Sequence, residues 1–170
     1  NWVVGLLGAA HPAPPVNVAT GGPLGAGDHF LRLTAVGGQG AGSRLAAINL
    51  AQWAGDYAGV GVAAITLDLI NLGATDLAIR LYLENPRGAP PTDEAVTDAV
   101  TLAAGGGWTR AVFAVDPGSL TVLAGDVGVL LGDVTALRLV HAPLAEFPGP
   151  TVAGVLGVDN ITAQGATAVA

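Results

Sequence analysis

The chain has 170 residues and a formal net charge of −7, and it is 51% hydrophobic but only 11% charged. With six arginines, no lysine and no cysteine, it lacks the clustered basic residues that nucleic acid or an anionic lipid surface requires, and it has neither a disulfide framework nor thiolate metal ligands. No apolar run is long enough to span a bilayer as a helix: Trp2–Ala10 is about half the required length and is ended by Pro12, Pro14 and Pro15.

Short β-type runs bounded by glycine, proline, asparagine or aspartate recur along the chain. Trp2–Leu7 reads as a first strand, and Asn1 before it as a processed start from which a signal peptide has been removed. Asp28–Val36 is a second strand, followed by the loop Gly37–Gly42, and Ser43–Leu50 a third. Val60–Asn71 is apolar on both faces, which suits a strand central in its sheet. Leu72–Thr75 reads as a turn into Asp76–Glu84, where Leu77, Ile79, Leu81 and Leu83 share one face and Ala78, Arg80, Tyr82 and Glu84 the other. Ala95–Ala103, Trp108–Val115, Ala136–Ala142 and Val152–Thr162 complete the strands. One short helix is expected within Pro117–Gly132, with Asp126 as its N-cap and Gly132 at its end. Strands at this spacing, with at most one short helix, predict an all-β chain: a two-sheet antiparallel β-sandwich of jelly-roll type, forming one domain over residues 1–170.

Catalytic chemistry is poorly provided for. The two serines, Ser43 and Ser119, lie outside any Gly-x-Ser-x-Gly elbow, and His11, His29 and His141 show no metal-ligand spacing. Gly37–Gly42 has no following lysine or helix, so it is a hairpin connection rather than a phosphate loop. Trp53 and Trp108 read as packing residues at sandwich edges rather than as a sugar platform. If Val60–Asn71 pairs with Asp76–Glu84, an even register sets Asp68 opposite Arg80 and gathers Asp68, Arg80, Tyr82 and Glu84 into one polar patch. Such a patch is either a sugar-contacting cleft or an ion pair that fixes register.

Gly21-Gly22-Pro23, Gly27–Arg32, Asn49–Tyr57, Leu69–Leu81, Gly106–Arg110 and Leu156–Ile161 together resemble the jelly-roll ectodomains of secreted bacterial proteins that often carry a PEP-CTERM sorting tail. More distantly, the pattern is similar to galactose-binding-like carbohydrate-binding modules. The first resemblance implies export to the cell surface or beyond. The second implies a structural calcium ion where an early strand meets the last one, for which the matching acids are Asp28 and Asp159. Both residues could equally cap strand ends, since calcium takes roughly six to eight oxygen ligands.

Two functions are consistent with these residues, neither of them enzymatic. The first is an extracellular structural or adhesive subunit of a surface matrix or filament, joining copies of itself or other surface proteins. Trp2, Val3, Val4, Leu6 and Leu7 would add as a strand to a neighbour's sheet edge. The alternative is a calcium-stabilised carbohydrate-binding module with a polysaccharide partner.

Overall fold

The computed structural model describes residues 2–4, 11–88 and 90–165. Twelve strands and one short helix build two antiparallel sheets packed face to face, the β-sandwich of a jelly roll. In chain order the strands are β1 (Trp2–Val4), β2 (Val16–Val18), β3 (Phe30–Val36), β4 (Ala46–Asn49), β5 (Val62–Asn71) and β6 (Leu77–Asn85). They continue as β7 (Asp93–Val96), β8 (Val100–Leu102), β9 (Thr109–Ala114), β10 (Thr121–Ala124), β11 (Ala136–His141) and β12 (Ala153–Gly165), with helix α1 at Val127–Gly132. The seven-stranded sheet runs β1-β4-β11-β6-β7-β10, with β8 also paired to β6, and the five-stranded sheet runs β2-β3-β12-β5-β9.

The core follows from the alternation seen in β6. Leu77, Ile79, Leu81 and Leu83 are fully buried and face the five-stranded sheet, whose inward side chains include Leu33, Ile65, Leu67, Leu69, Phe113, Leu156 and Val158. Aliphatic side chains thus carry most of the inter-sheet packing. β5 is an interior strand, flanked by β12 and β9, in keeping with its apolar sequence.

The expected pairing of β5 with β6 does not occur. β5 belongs to the five-stranded sheet and β6 to the seven-stranded one, so Leu72–Thr75 is a crossing between sheets. The physical reason lies in Asn71, which is buried at the end of β5. Its Nδ2 donates to Thr75 O at 2.9 Å and to Leu102 O at 3.0 Å, and its Oδ1 accepts from Gly73 N–H at 3.0 Å. These bonds turn the chain out of one layer and tie the crossing to β8 in the other. Both of its neighbouring strands then present leucine and isoleucine inward, which a hairpin within one sheet would not have required.

Smaller departures have similar local causes. Ala95–Ala103 divides into β7 and β8 around Thr97, whose N–H donates to Leu81 O while its Oγ1 accepts from Leu81 N–H. The helix forms as the capping residues predict, with the Asp126 side chain accepting from Gly128 and Val129 N–H. The same stretch also contains β10, which the helical reading passed over.

The outer face of the seven-stranded sheet is covered as well. Ala46, Tyr82, Val96, Val140 and Ala142 make a second buried cluster, overlaid by Leu123, Ala145 and Phe147. Among the described residues the outer face of the five-stranded sheet has no such cover over Arg32, Arg110 and Val112, which are exposed. Among these residues the two outer faces therefore differ in how open they are to a partner.

Replacing Asn71 with alanine removes three hydrogen bonds and leaves the Leu102 carbonyl without this donor. The expected cost is about 2–3 kcal/mol, read as a lower denaturation midpoint with an unchanged slope in chemical unfolding.

Candidate functional site

The four residues of the expected polar patch are divided between the two sheets. Arg80, Tyr82 and Glu84 do share the outer face of β6, but that face is occupied by the chain itself. Arg80 donates to three carbonyls, Ala142 O at 2.8 Å, Thr97 O at 2.7 Å and Pro143 O at 3.1 Å. Tyr82 is fully buried, donates its hydroxyl to Glu146 O and meets the Phe147 ring edge-on at 5.5 Å. Burial pushes its pKa up to about 12. Glu84 accepts from Nε and Nη2 of Arg138 in a buried ion pair, and the Arg138 guanidinium lies 5.0 Å from the centre of the Phe147 ring. These three residues hold structure together; they do not form an open cleft.

Asp68 lies instead on the open face of the five-stranded sheet. On one side it is in register with Arg110 of β9, and on the other with Asp159 of β12. Two carboxylates on directly opposed residues repel, and Arg110 offsets this with an ion pair to Asp68 at 3.3 Å. Asn160 completes the arrangement. Its Nδ2 donates to Asp68 Oδ2 at 2.8 Å and its carbonyl accepts from Arg110 Nη1 at 3.0 Å, while Arg110 Nη2 reaches Thr66 Oγ1 at 2.6 Å. Asn160 has φ 46°, in the left-handed region that asparagine enters more readily than most residues. Here the register of β12 against β5 shifts between Asp159 and Thr162, so the strand bulges. Bulges of this kind redirect side chains and recur beside functional sites.

A cavity of about 330 Å³ adjoins the bulge, lined among others by Trp2, Asn17, His29, Leu31, Asp159 and Asn160. It brings together β1 from the edge of one sheet with β2, β3 and β12 of the other. An indole, an imidazole, a carboxylate and two amides provide one apolar surface with several hydrogen-bonding groups around it, the mixture that small-molecule sites use. Trp108 stands on the same sheet face, edge-on to Phe30 at 5.3 Å with its Nε1 donating to Gly21 O. It fits because residue 157 is glycine: a Cβ there would lie 2.5 Å from Ile70 Cγ2 and 3.1 Å from both Phe30 and Trp108 ring atoms.

Of the two acids of the calcium expectation, Asp159 lines the cavity beside the bulge. Asp28 Oδ2 accepts from Leu24 N–H at 2.9 Å and closes its own glycine-rich loop. Among the described residues no group of three or more His, Cys, Asp or Glu is placed to hold a metal ion. Asp28 and Asp159 do not by themselves supply the roughly six oxygens that calcium needs. Of the residues expected to assemble copies, Trp2, Val3 and Val4 pair with Asn49, Ile48 and Ala47 of the same chain; Leu6 and Leu7 lie outside the described residues.

The sequence pattern singles out no site role for Arg110, Asn160, Arg138 or Glu94, although Arg110 and Asn160 lie within the runs that carry the resemblance. The Asp159-Asn160 dipeptide inside an otherwise apolar strand was the available signal for a bulge. Arg138 and Glu94 could not be found that way, because only the register of β6 with β11 and β7 brings them to Glu84.

No family model matches the chain, and no curated protein matches it in sequence. Its fold is similar to that of the family 11 carbohydrate-binding module of the cellulosomal cellulase Lic26A-Cel5E of Clostridium thermocellum, at 13% identity and a TM-score of 0.57, covering 89% of this chain and 81% of that one. The Clostridium thermocellum family 11 module solved with a β-1,3-1,4-mixed-linked tetrasaccharide is similar too, at 12% identity and a TM-score of 0.55, covering 89% and 82%. An exo-β-agarase matches at 13% identity and a TM-score of 0.60 over 91% of this chain, which spans only 23% of the agarase. At these identities the likeness is one of fold.

Gly157→Ala forces the added methyl against Ile70, Phe30 and Trp108. An overpacking cost of about 1–3 kcal/mol is expected, together with a shift of the Trp108 indole N–H resonance; an unmoved resonance would contradict this packing.

Proposed function

We propose that the chain is a non-catalytic carbohydrate-binding domain that holds a polysaccharide at the β12 bulge. The observation that carries this reading is the exposed Asp68–Arg110–Asn160 network beside a cavity that joins Trp2 to Asn17, His29 and Asp159. Sugar hydroxyls both donate and accept, so a carboxylate, a guanidinium and an amide fixed by one another suit them. The indole supplies an apolar surface for a pyranose ring. The likeness in fold to carbohydrate-binding modules supports the same reading. The outside of the cell is where such a domain meets polysaccharide.

Glycosidase chemistry gains less support. It needs a protonated carboxyl group at a substrate-accessible position, with a second carboxylate opposite. Glu94 is the carboxyl group pushed up to a suitable pKa, about 7, but it is buried beside Glu84 rather than facing a substrate. A self-assembling role would rest on the free side of β1, an edge strand on which Val3 is half exposed. That feature is common to edge strands and names no partner.

The Asp68–Arg110 pair is partly exposed, so it adds little to stability. Arg110→Ala and Asn160→Gly, the latter accepting the positive φ of this position, are therefore expected to stay folded, with melting temperatures close to that of the parent. In affinity electrophoresis through mixed-linkage β-glucan and agarose, each is expected to weaken retention about tenfold, the loss of one hydrogen-bonding side chain. Unchanged retention of the double variant, or no retention of the parent by either polymer, would overturn the proposal.

A further inference from the structure

Trp53, on the connection from β4 to β5, packs against the core as expected of a residue at a sandwich edge, but it also lines a second cavity. This cavity measures about 270 Å³, and Asp56, Tyr57, Val60 and Ala163 are among its walls. Trp2, on the wall of the cavity beside the bulge, is placed in the same way. Both indoles are half-buried and packed against the core. What remains exposed of each is a fixed apolar surface facing a cavity, the kind of surface on which a sugar ring stacks.

The two cavities lie side by side along β12. Ile161 lines the one beside the bulge and Ala163 lines the other, a step of about 7 Å along the strand. Residues two apart in a strand share a face. Ile161 packs against the core, and Ala163 is in register with the core residue Ile65 of β5. Ala163 is nonetheless exposed, so among the described residues the seven-stranded sheet leaves this end of β12 uncovered.

Asn49 ties the two indoles together from the opposite sheet. It is fully buried at the end of β4, in register with Trp2. Its Oδ1 accepts from Ala51 N–H at 3.2 Å and Gln52 N–H at 2.9 Å, and its Nδ2 donates to Gln52 Oε1 at 2.9 Å. These bonds set the course of the chain into Trp53. Beyond it, the Tyr57 hydroxyl donates to Trp53 O at 2.8 Å, and Gly55 and Val134 exchange backbone hydrogen bonds. The connection is thus fixed before a ligand arrives, which spares binding the cost of ordering it.

We propose that the two cavities are parts of one groove, which takes several consecutive sugars of a single polysaccharide chain across Trp2 and Trp53. This rests on the carbohydrate-binding reading of the β12 bulge. Asp159 and Asn160 in one cavity and Asp56 in the other provide hydrogen-bonding groups beside the two indoles. A sugar held at Trp2 raises the effective concentration of its linked neighbours at Trp53, so affinity grows with chain length once both are reached.

The test is a titration of the whole chain with di-, tetra- and hexasaccharides of mixed-linkage β-glucan and of agarose, followed at the Trp2 and Trp53 indole N–H resonances. With the hexasaccharide both resonances should shift along one saturation curve, at an affinity about tenfold above that for the disaccharide. Ala163→Gln fills the Trp53 cavity from an exposed position. It should keep the parent's melting temperature and disaccharide affinity while losing the gain with length. Equal affinity at all lengths with Trp2 alone shifting would refute the shared groove and leave the bulge reading standing. Two independent saturation curves, or a gain with length that survives in Ala163→Gln, would refute it as well. Binding at no length would refute both the groove and the reading it rests on.

Discussion

The rest of the structure depends on the crossing at Asn71. A five-residue connection between two strongly apolar strands would ordinarily close a hairpin, with both strands in one sheet. Here a buried amide holds Thr75 O and Leu102 O while accepting Gly73 N–H, and the chain changes layer. β5 and β6 then contribute their leucine and isoleucine faces to the same core from opposite sides. The polar residues of these two strands are sent to opposite surfaces of the sandwich. Asp68 is thereby separated from Arg80, Tyr82 and Glu84.

The two outer faces that result are chemically alike but physically opposite. Each carries an arginine paired with an acid from a neighbouring strand and a further carboxyl group nearby. On the seven-stranded sheet the pair is Arg138–Glu84, with side chains at most 5% exposed, and it lies under aromatic and aliphatic cover. Removing one partner of such a pair is costly because the other stays buried and charged. On the five-stranded sheet the pair is Arg110–Asp68, with side chains 43% and 17% exposed. It adds little to folding, which leaves its groups available to a ligand. This difference in burial is why the binding reading belongs to the five-stranded face.

Much of this was legible in the sequence. The strict alternation of Leu77–Leu83 gave the inward face of β6 correctly, and the regular spacing of strand signals gave the sandwich. Asp126 announced the only helix among the described residues. What could not be read was pairing between strands distant in sequence. Asp68 and Asp159 stand 91 positions apart and meet only because β12 inserts between β3 and β5. Arg138 reaches Glu84 only through the register of β11 on β6. Short strands such as β2 and β10 were missed because their stability comes from the neighbour they pair with, not from their own composition.

The most direct measurement is an NMR titration of the chain with mixed-linkage β-glucan and agarose oligosaccharides, mapping amide and indole shifts by residue. Saturable shifts centred on His29, Asp159, Asn160 and Arg110, with the Trp2 indole among them, are the result expected here. Shifts confined to another face, or none with either sugar, would contradict a polysaccharide site at the β12 bulge.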